Sequence, residues 1–162
     1  LADRARRFVD PDRDGRPGQT QCGQSSRLSE LAAALGRVQL DRLPAFVGTR
    51  RQHARHLREE LAETSFECQS PPEEARHAYQ RFTVRARRRD ELREHLDEFG
   101  IDTNLCHPAP VYEHPDLQEP AASTPRAERV TGELLSVPIH PKLSRRDIDA
   151  IVTGLEYFDS YL

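Results

Sequence analysis

Apolar residues along this chain follow a helical rhythm first and then alternate between the two rhythms. Leu1–Phe8 reads as the tail of a helix and Pro11–Gly23 as a loop. From an N-cap near Ser26, Leu28, Leu31, Leu35 and Val38 step by three, four and three, as one helix face requires. Pro44 marks a break or the first turn of a following helix. Val47, Ala54, Leu57 and Leu61 keep helical phase to about Glu63, with Arg50, Arg51, Arg55 and Arg58 as a solvated face between them. The expectation is one long connecting helix over 26–64, kinked near 44. Ser65–Glu74 contains Pro71 and Pro72 and reads as a linker.

The rhythm then switches to two. Over His77–Arg87, Ala78, Phe82, Val84 and Ala86 face one way while Tyr79, Arg81, Thr83 and Arg85 face the other, the mark of a half-buried strand. Asp90 opens a short helix carrying Leu92, Leu96 and Phe99, and Gly100 stops it. Ile101–Cys106 reads as a second strand and His107–Ser123 as a Pro-rich loop. A helix from Thr124–Pro125 to Glu133 turns Ala127, Val130 and Leu134 to one side; Leu135, Val137 and Ile139 alternate as a third strand. Ser144 and Asp147 form a capping box, Leu143 and Ile148 a hydrophobic staple. The last helix should bury Ile148, Ile151, Val152, Leu155 and Phe158. Together these elements predict an α+β fold: a short three-stranded sheet with helices on one face over 65–162, joined to the long N-terminal helix.

Composition narrows the chemistry. The 162 residues carry 36% hydrophobic and 31% charged residues, with mean hydropathy -0.78. No apolar run approaches the ~18 residues of a membrane span, and no signal-peptide core opens the chain, so the expected compartment is the cytoplasm. Net charge is -3, which gives no general reason to expect nucleic acid or an anionic membrane as partner. Arg85–Arg89 is basic, but Asp90, Glu91, Glu94, Asp97 and Glu98 follow and cancel much of its field. Cys22, Cys68 and Cys106 form no Cys-x-x-Cys pair and no disulfide framework. His53 and His56 lack a third ligand nearby, and Cys106 and His107 with His114 lack an orienting group, so no metal ligand and no catalytic residue is assigned. There is one lysine, Lys142, and no methionine. Gly15, Gly18 and Gly23 make no nucleotide-binding glycine motif.

One stretch carries a family pattern. Gly23-Gln-Ser25-Ser-Arg27, followed by Glu30, Ala32–Ala33, Gly36 and Gln39–Leu40, resembles the Gly-x-Asn-x-Arg segment of the DegT/StrS family of pyridoxal-phosphate sugar aminotransferases. The likeness continues through the Arg13–Arg16 loop, His77–Arg85, Arg89–Leu96, Ala127–Arg129, Leu135–Pro141 and Ser144–Leu155, in family order. It implies the small C-terminal domain of an aspartate-aminotransferase-like fold, with residues 1–25 as the edge of the large domain and its active-site loop. It also implies pyridoxal phosphate as cofactor, with Ser25 and Arg27 reaching a neighbouring subunit's cofactor phosphate.

Serine stands where the family has asparagine, and Pro11–Asp12 where it has His-Gly; a local turn is the alternative role for Ser25 and Arg27. The family's Schiff-base lysine is expected upstream of Leu1, and Lys142 falls where the family carries a surface residue. The expectation is therefore a chain inactive alone, paired as a homodimer or with a complementing large-domain chain. Only when complemented would it act on a nucleotide-linked sugar with glutamate as amino donor. The alternative is a noncatalytic relic or a dimerisation module of the same fold.

Overall fold

The computed structural model describes residues 28–113 and 124–161, together with helical backbone at Ala2, Ala5 and Val9. The chain divides into two compact units, Leu1–Leu43 and Pro44–Leu162.

In the first unit, helix α1 (Glu30–Glu60) begins. Its cap is Ser29, whose hydroxyl accepts the Ala32 amide at 3.2 Å. The start therefore lies later than the position near Ser26 that the sequence suggested, because Leu28 and Ser29 are not helical. Leu28, Leu31, Leu35 and Val38 are exposed.

The second unit holds the core. Ala54 and Leu57 of α1 are fully buried, as is Leu61 in the 3-10 turn Leu61–Glu63 that follows. Thr64 ends that turn, its amide and hydroxyl both donating to the Leu61 carbonyl, at 3.2 and 2.7 Å. Three strands, β1 (Glu67–Cys68), β2 (Phe82–Arg85) and β3 (Leu134–Val137), make one antiparallel sheet in the order β1-β2-β3. Val84 pairs with Cys68 on one side and Leu135 on the other, and Phe82 with Val137. Phe82, Val84, Leu135 and Val137 point to the core beside Leu92 and Leu96 of α2 (Arg89–Glu98). Ile148, Ile151, Val152, Leu155 and Phe158 of α4 (Arg145–Asp159) complete that core. The α+β class and the three-stranded sheet are as the sequence predicts. Among the described residues no helix is long and apolar enough to cross a membrane.

Several local expectations fail for identifiable reasons. Ile101–Cys106 is not a strand. The Ile101 amide is drawn into the end of α2, donating to Leu96 O at 2.8 Å while Gly100, at φ 72°, donates to Asp97 O, a Schellman cap. Only Asn104 then reaches the sheet, in an isolated bridge to Ser136, and Pro138 beyond β3 has no amide to extend the ladder. The third strand is instead β1, inside the expected linker, where Phe66 and Cys68 turn inward around exposed Glu67.

The strand expected over His77–Arg87 is ordered as strand only from Phe82. Tyr79, expected outside, is buried at φ 47°, and Ala78, expected inside, is exposed. Arg51 fixes this turn from α1, donating to the carbonyls of His77 (2.8 Å) and Arg76 (3.2 Å), while His77 Nδ1 accepts the Tyr79 amide at 3.0 Å. Phe99 is exposed because α2 ends before it; its ring lies 4.6 Å from that of His95 and 5.8 Å from that of Tyr157. Helix α3 (Pro125–Glu133) has the expected bounds but buries no residue.

The capping box at α4 is present in full. Ser144 Oγ accepts the Asp147 amide at 3.2 Å, and Asp147 accepts the Ser144 amide at 2.8 Å.

Candidate functional site

Alternation on β2 and β3 sends one row of side chains away from the core, and that outer face is where polar groups converge. Thr83 and Ser136 sit opposite each other, with hydroxyls 2.8 Å apart. Cys106 brings its thiol to 3.1 Å from the same Ser136 hydroxyl and 3.4 Å from the Asn104 side-chain carbonyl. Of this row, Thr83 and Cys106 line a depression of about 530 Å³ edged by the His77–Gln80 turn, Gln69 and His107, while Ser136 is itself buried. Burial pushes the Cys68 thiol on its margin up, against a smaller opposing pull from Arg58, so that thiol stays protonated. The Thr83 hydroxyl, the Gln69 amide and the Cys106 thiol that line the depression suit a hydroxylated ligand.

A second depression of about 750 Å³ opens at the same end of β1 and β2 and is lined by Arg85, Arg87, Arg88 and Arg129 with Ser65. Arg85 is not available to a ligand. It pairs with Glu133 and, at 2.7 Å, with Glu67, and the Glu133 hydrogen bond is first among the causes holding its guanidinium above the ordinary range. Arg88 is similarly engaged by Glu91.

Among the described residues the histidines do not converge on one another as a metal site would require. His56 ties α1 to α4 through Asp149 at 2.9 Å and lies 3.4 Å from Glu60. Burial lowers the His53 pKa, and the neighbouring His140 and His56 lower it further, which leaves a neutral ring. Among the described residues no group of three His, Cys, Asp or Glu could hold a metal ion. Cys106 bonds to Ser136 and Asn104 and not to a histidine; His114 lies outside the described residues.

Ser25 and Arg27 also lie outside the described residues, as do Cys22 and the Pro11–Asp12 position. A covalent pyridoxal-phosphate site does not fit what is described. Lys142 stands exposed in the turn closed by the Leu143 amide on His140 O at 3.1 Å, and it lines neither depression. Sequence reading did not single out the Thr83–Ser136–Cys106 row. The outward phase of Thr83 was legible; the bridge that brings Asn104 and Cys106 to it was not.

Comparison with known proteins places this architecture. The chain is 36% identical over 138 residues to the erythromycin biosynthesis sensory transduction protein EryC1 of Saccharopolyspora erythraea, covering 83% of this chain and 38% of that one. It is 38% identical over 147 residues to dTDP-3-amino-3,4,6-trideoxy-alpha-D-glucose transaminase of Streptomyces venezuelae, covering 85% and 38%. Among solved structures, S. venezuelae DesV in complex with a ketimine intermediate superposes with a TM-score of 0.92 at 32% identity, over 99% of this chain and 44% of that one. The chain thus spans well under half the length of the relatives it matches. The model of the DegT/DnrJ/EryC1/StrS aminotransferase family matches residues 1–156, and the chain belongs to that family.

Proposed function

We propose that these 162 residues form the C-terminal part of a pyridoxal-phosphate-dependent aminotransferase acting on a keto group of a nucleotide-linked sugar, and that they are inactive alone. The observation that carries this reading is the match to DesV, which takes in 99% of this chain and 44% of the other. Relatives that share this segment include a dTDP-sugar transaminase. Pyridoxal phosphate, when bound, supplies the electron sink that amino transfer requires.

This chain's own contribution is to hold and orient. Ser25 and Arg27 would donate hydrogen bonds to the cofactor phosphate of a neighbouring subunit in a dimer, and Thr83, Gln69 and Cys106 would offer polar contacts to a hydroxylated substrate. Lys142, exposed in its turn, takes no part. Ser25 and Pro11–Asp12, which depart from the family pattern on the active-site side, favour a second reading in which the same fold serves as a noncatalytic dimerisation or interaction module.

The test is a pyridoxal-phosphate titration of the chain, borohydride reduction and peptide mass analysis. No adduct on Lys142 and no amino transfer are expected from the chain by itself. Stoichiometric labelling of Lys142 would overturn the proposal. Amino transfer regained with a complementing large domain, and lost on Arg27→Ala, separates the catalytic reading from the second one.

A further inference from the structure

Two polar groups on the 530 Å³ depression are left over once the sheet is packed. The first is the side-chain oxygen Oε1 of Gln69, which is buried and has no hydrogen-bond partner among the described residues. A buried acceptor left unpaired is uncommon and marks a place where a donor is missing. Gln69 directly follows β1 and lines the depression, so a ligand held there can supply that donor.

The second is the His77 ring. Its Nδ1 accepts the Tyr79 amide at 3.0 Å, so that nitrogen carries no proton and the neutral ring holds its proton on Nε2. The ring stands edge-on to Tyr79, with centroids 4.4 Å apart. Arg51 fixes the backbone beneath it, donating to the His77 carbonyl at 2.8 Å and to that of Arg76 at 3.2 Å. Between them these contacts hold Tyr79 at φ 47°, a strained conformation for an aromatic residue. Both the orientation and the tautomer of His77 are thereby set. The residue is exposed and lines the same depression, and its Nε2–H meets no acceptor among the described residues.

An acceptor without a donor and a donor without an acceptor, on one concave surface, suit a molecule whose hydroxyls both give and take. Charge does not exclude an anionic one. Glu67, the acid among the lining residues, is paired with Arg85 at 2.7 Å, and exposed Arg81 also lines the depression.

We propose that Gln69 and His77 are sugar-binding residues: Gln69 Oε1 accepts a sugar hydroxyl, His77 Nε2 donates to a sugar oxygen, and Arg51 positions the His77 ring. The choice of a nucleotide-linked sugar rests on the proposed function; the unmet bonding of the two side chains does not.

Nitrogen NMR of the histidine rings in the whole chain, at about pH 8 and so above the ordinary histidine pKa, should find His77 protonated on Nε2 alone. dTDP-glucose should shift that signal saturably, and dTDP should not. Gln69→Met keeps the side-chain length and removes the unpaired oxygen. It should weaken dTDP-glucose binding about tenfold, the loss of one hydrogen bond, while its urea midpoint stays at or above that of the parent. His77→Asn, whose side-chain oxygen can still accept the Tyr79 amide, should weaken binding by a similar factor. Arg51→Gln should draw the two His77 nitrogen signals together as the ring exchanges tautomers, and leave those of His95 in place. Far-UV circular dichroism accompanies each variant; where His77→Asn loses its fold, Gln69→Met and the parent's ring spectrum decide.

A His77 proton on Nδ1, no saturable shift with dTDP-glucose, an equal response to dTDP, or undiminished binding by either folded variant overturns the proposal. So does a urea midpoint lowered by Gln69→Met, since the oxygen then has a partner within the chain. Amino transfer with a complementing large domain is read separately: sugar binding that depends on Gln69 and His77 without any transfer removes the proposed reaction and leaves these contacts standing.

Discussion

Two glycines of the second unit should answer the same substitution with opposite signs. Gly154 lies mid-way along α4 and is buried. A Cβ placed there meets Leu96 Cδ2 at 3.0 Å and Ile101 Cδ1 at 3.2 Å. Neither neighbour is free to retreat: Leu96 is fully buried, and the Ile101 amide is fixed on Leu96 O at 2.8 Å by the cap of α2. Gly48, inside α1, has nothing within 4 Å of the same added atom. Replacing a helical glycine by alanine gains about 1 kcal/mol in backbone propensity. Overpacking a tight core loses about 1–3 kcal/mol.

Gly48→Ala should therefore stabilise by about 0.5–1 kcal/mol, since only the first effect operates. Gly154→Ala should destabilise by about 1 kcal/mol, since the second exceeds the first. Urea unfolding followed by circular dichroism resolves the pair. With a slope of about 1–3 kcal/mol per molar, the midpoints should move in opposite directions by a few tenths of a molar or more. A midpoint raised by Gly154→Ala as much as by Gly48→Ala would refute the claim that α4 and the end of α2 are in closest packing there.

Other perturbations read other parts of the fold. Leu57→Ala, in the core, should lose about 2–5 kcal/mol, whereas Leu31→Ser on the same helix should stay within about 0.5 kcal/mol in the isolated chain; paired urea curves check both. Ser144→Ala removes the capping hydroxyl of α4 and should lower stability by about 1 kcal/mol, measured the same way. Stability should also fall in acid. Asp147 is held below the ordinary carboxylate range by Ser144, and Asp149 by the His56 hydrogen bond and then Arg145. Groups depressed in the folded state contribute fully above their unfolded value of about 3.9 and lose that contribution as pH falls through the folded one. The neutral His53 begins its own loss earlier, below about pH 6.5. A series of urea midpoints against pH should show these losses, and His56→Gln should flatten the part belonging to Asp149.

The sequence revealed most where a side-chain pattern and a local backbone signal coincided. At α4, the Ser144–Asp147 box and the five apolar positions name the same helix, and the structure holds both the cap and the burial. At Gly100, a residue that tolerates positive φ sits one place beyond a helix of matching phase, and the Schellman bonds form there. Alternation from Phe82 to Ala86 likewise fixed the inward face of β2. Failures came where a tertiary bond overruled the pattern. Arg51, twenty-six residues before His77, holds the turn that puts Tyr79 into the core. No local periodicity reports a donor arriving from another helix. Strand β1 is two residues long, too short for alternation to register, and it exists because β2 offers an edge to Glu67 and Cys68.

The candidate site was harder to read than the fold for a related reason. Side chains that act together here come from separate elements: Thr83 from β2, Ser136 from β3, and Asn104 and Cys106 from the segment after α2. Their meeting depends on sheet register, since Thr83 pairs with Ser136, and a one-residue slip of either strand would turn its own hydroxyl into the core and away from the other. Register in turn follows from Phe82 and Val137 having to face inward together. The apolar residues thus place the polar ones, and the outer face is legible only after the inner face has been packed. The seam on α1 poses the converse case. Its rhythm was plain in the sequence, yet rhythm alone cannot tell a buried face from one left open. What separates Leu31 from Leu57 is the presence of packed neighbours, so the same leucine spacing reads as core in one unit and as an exposed face in the other.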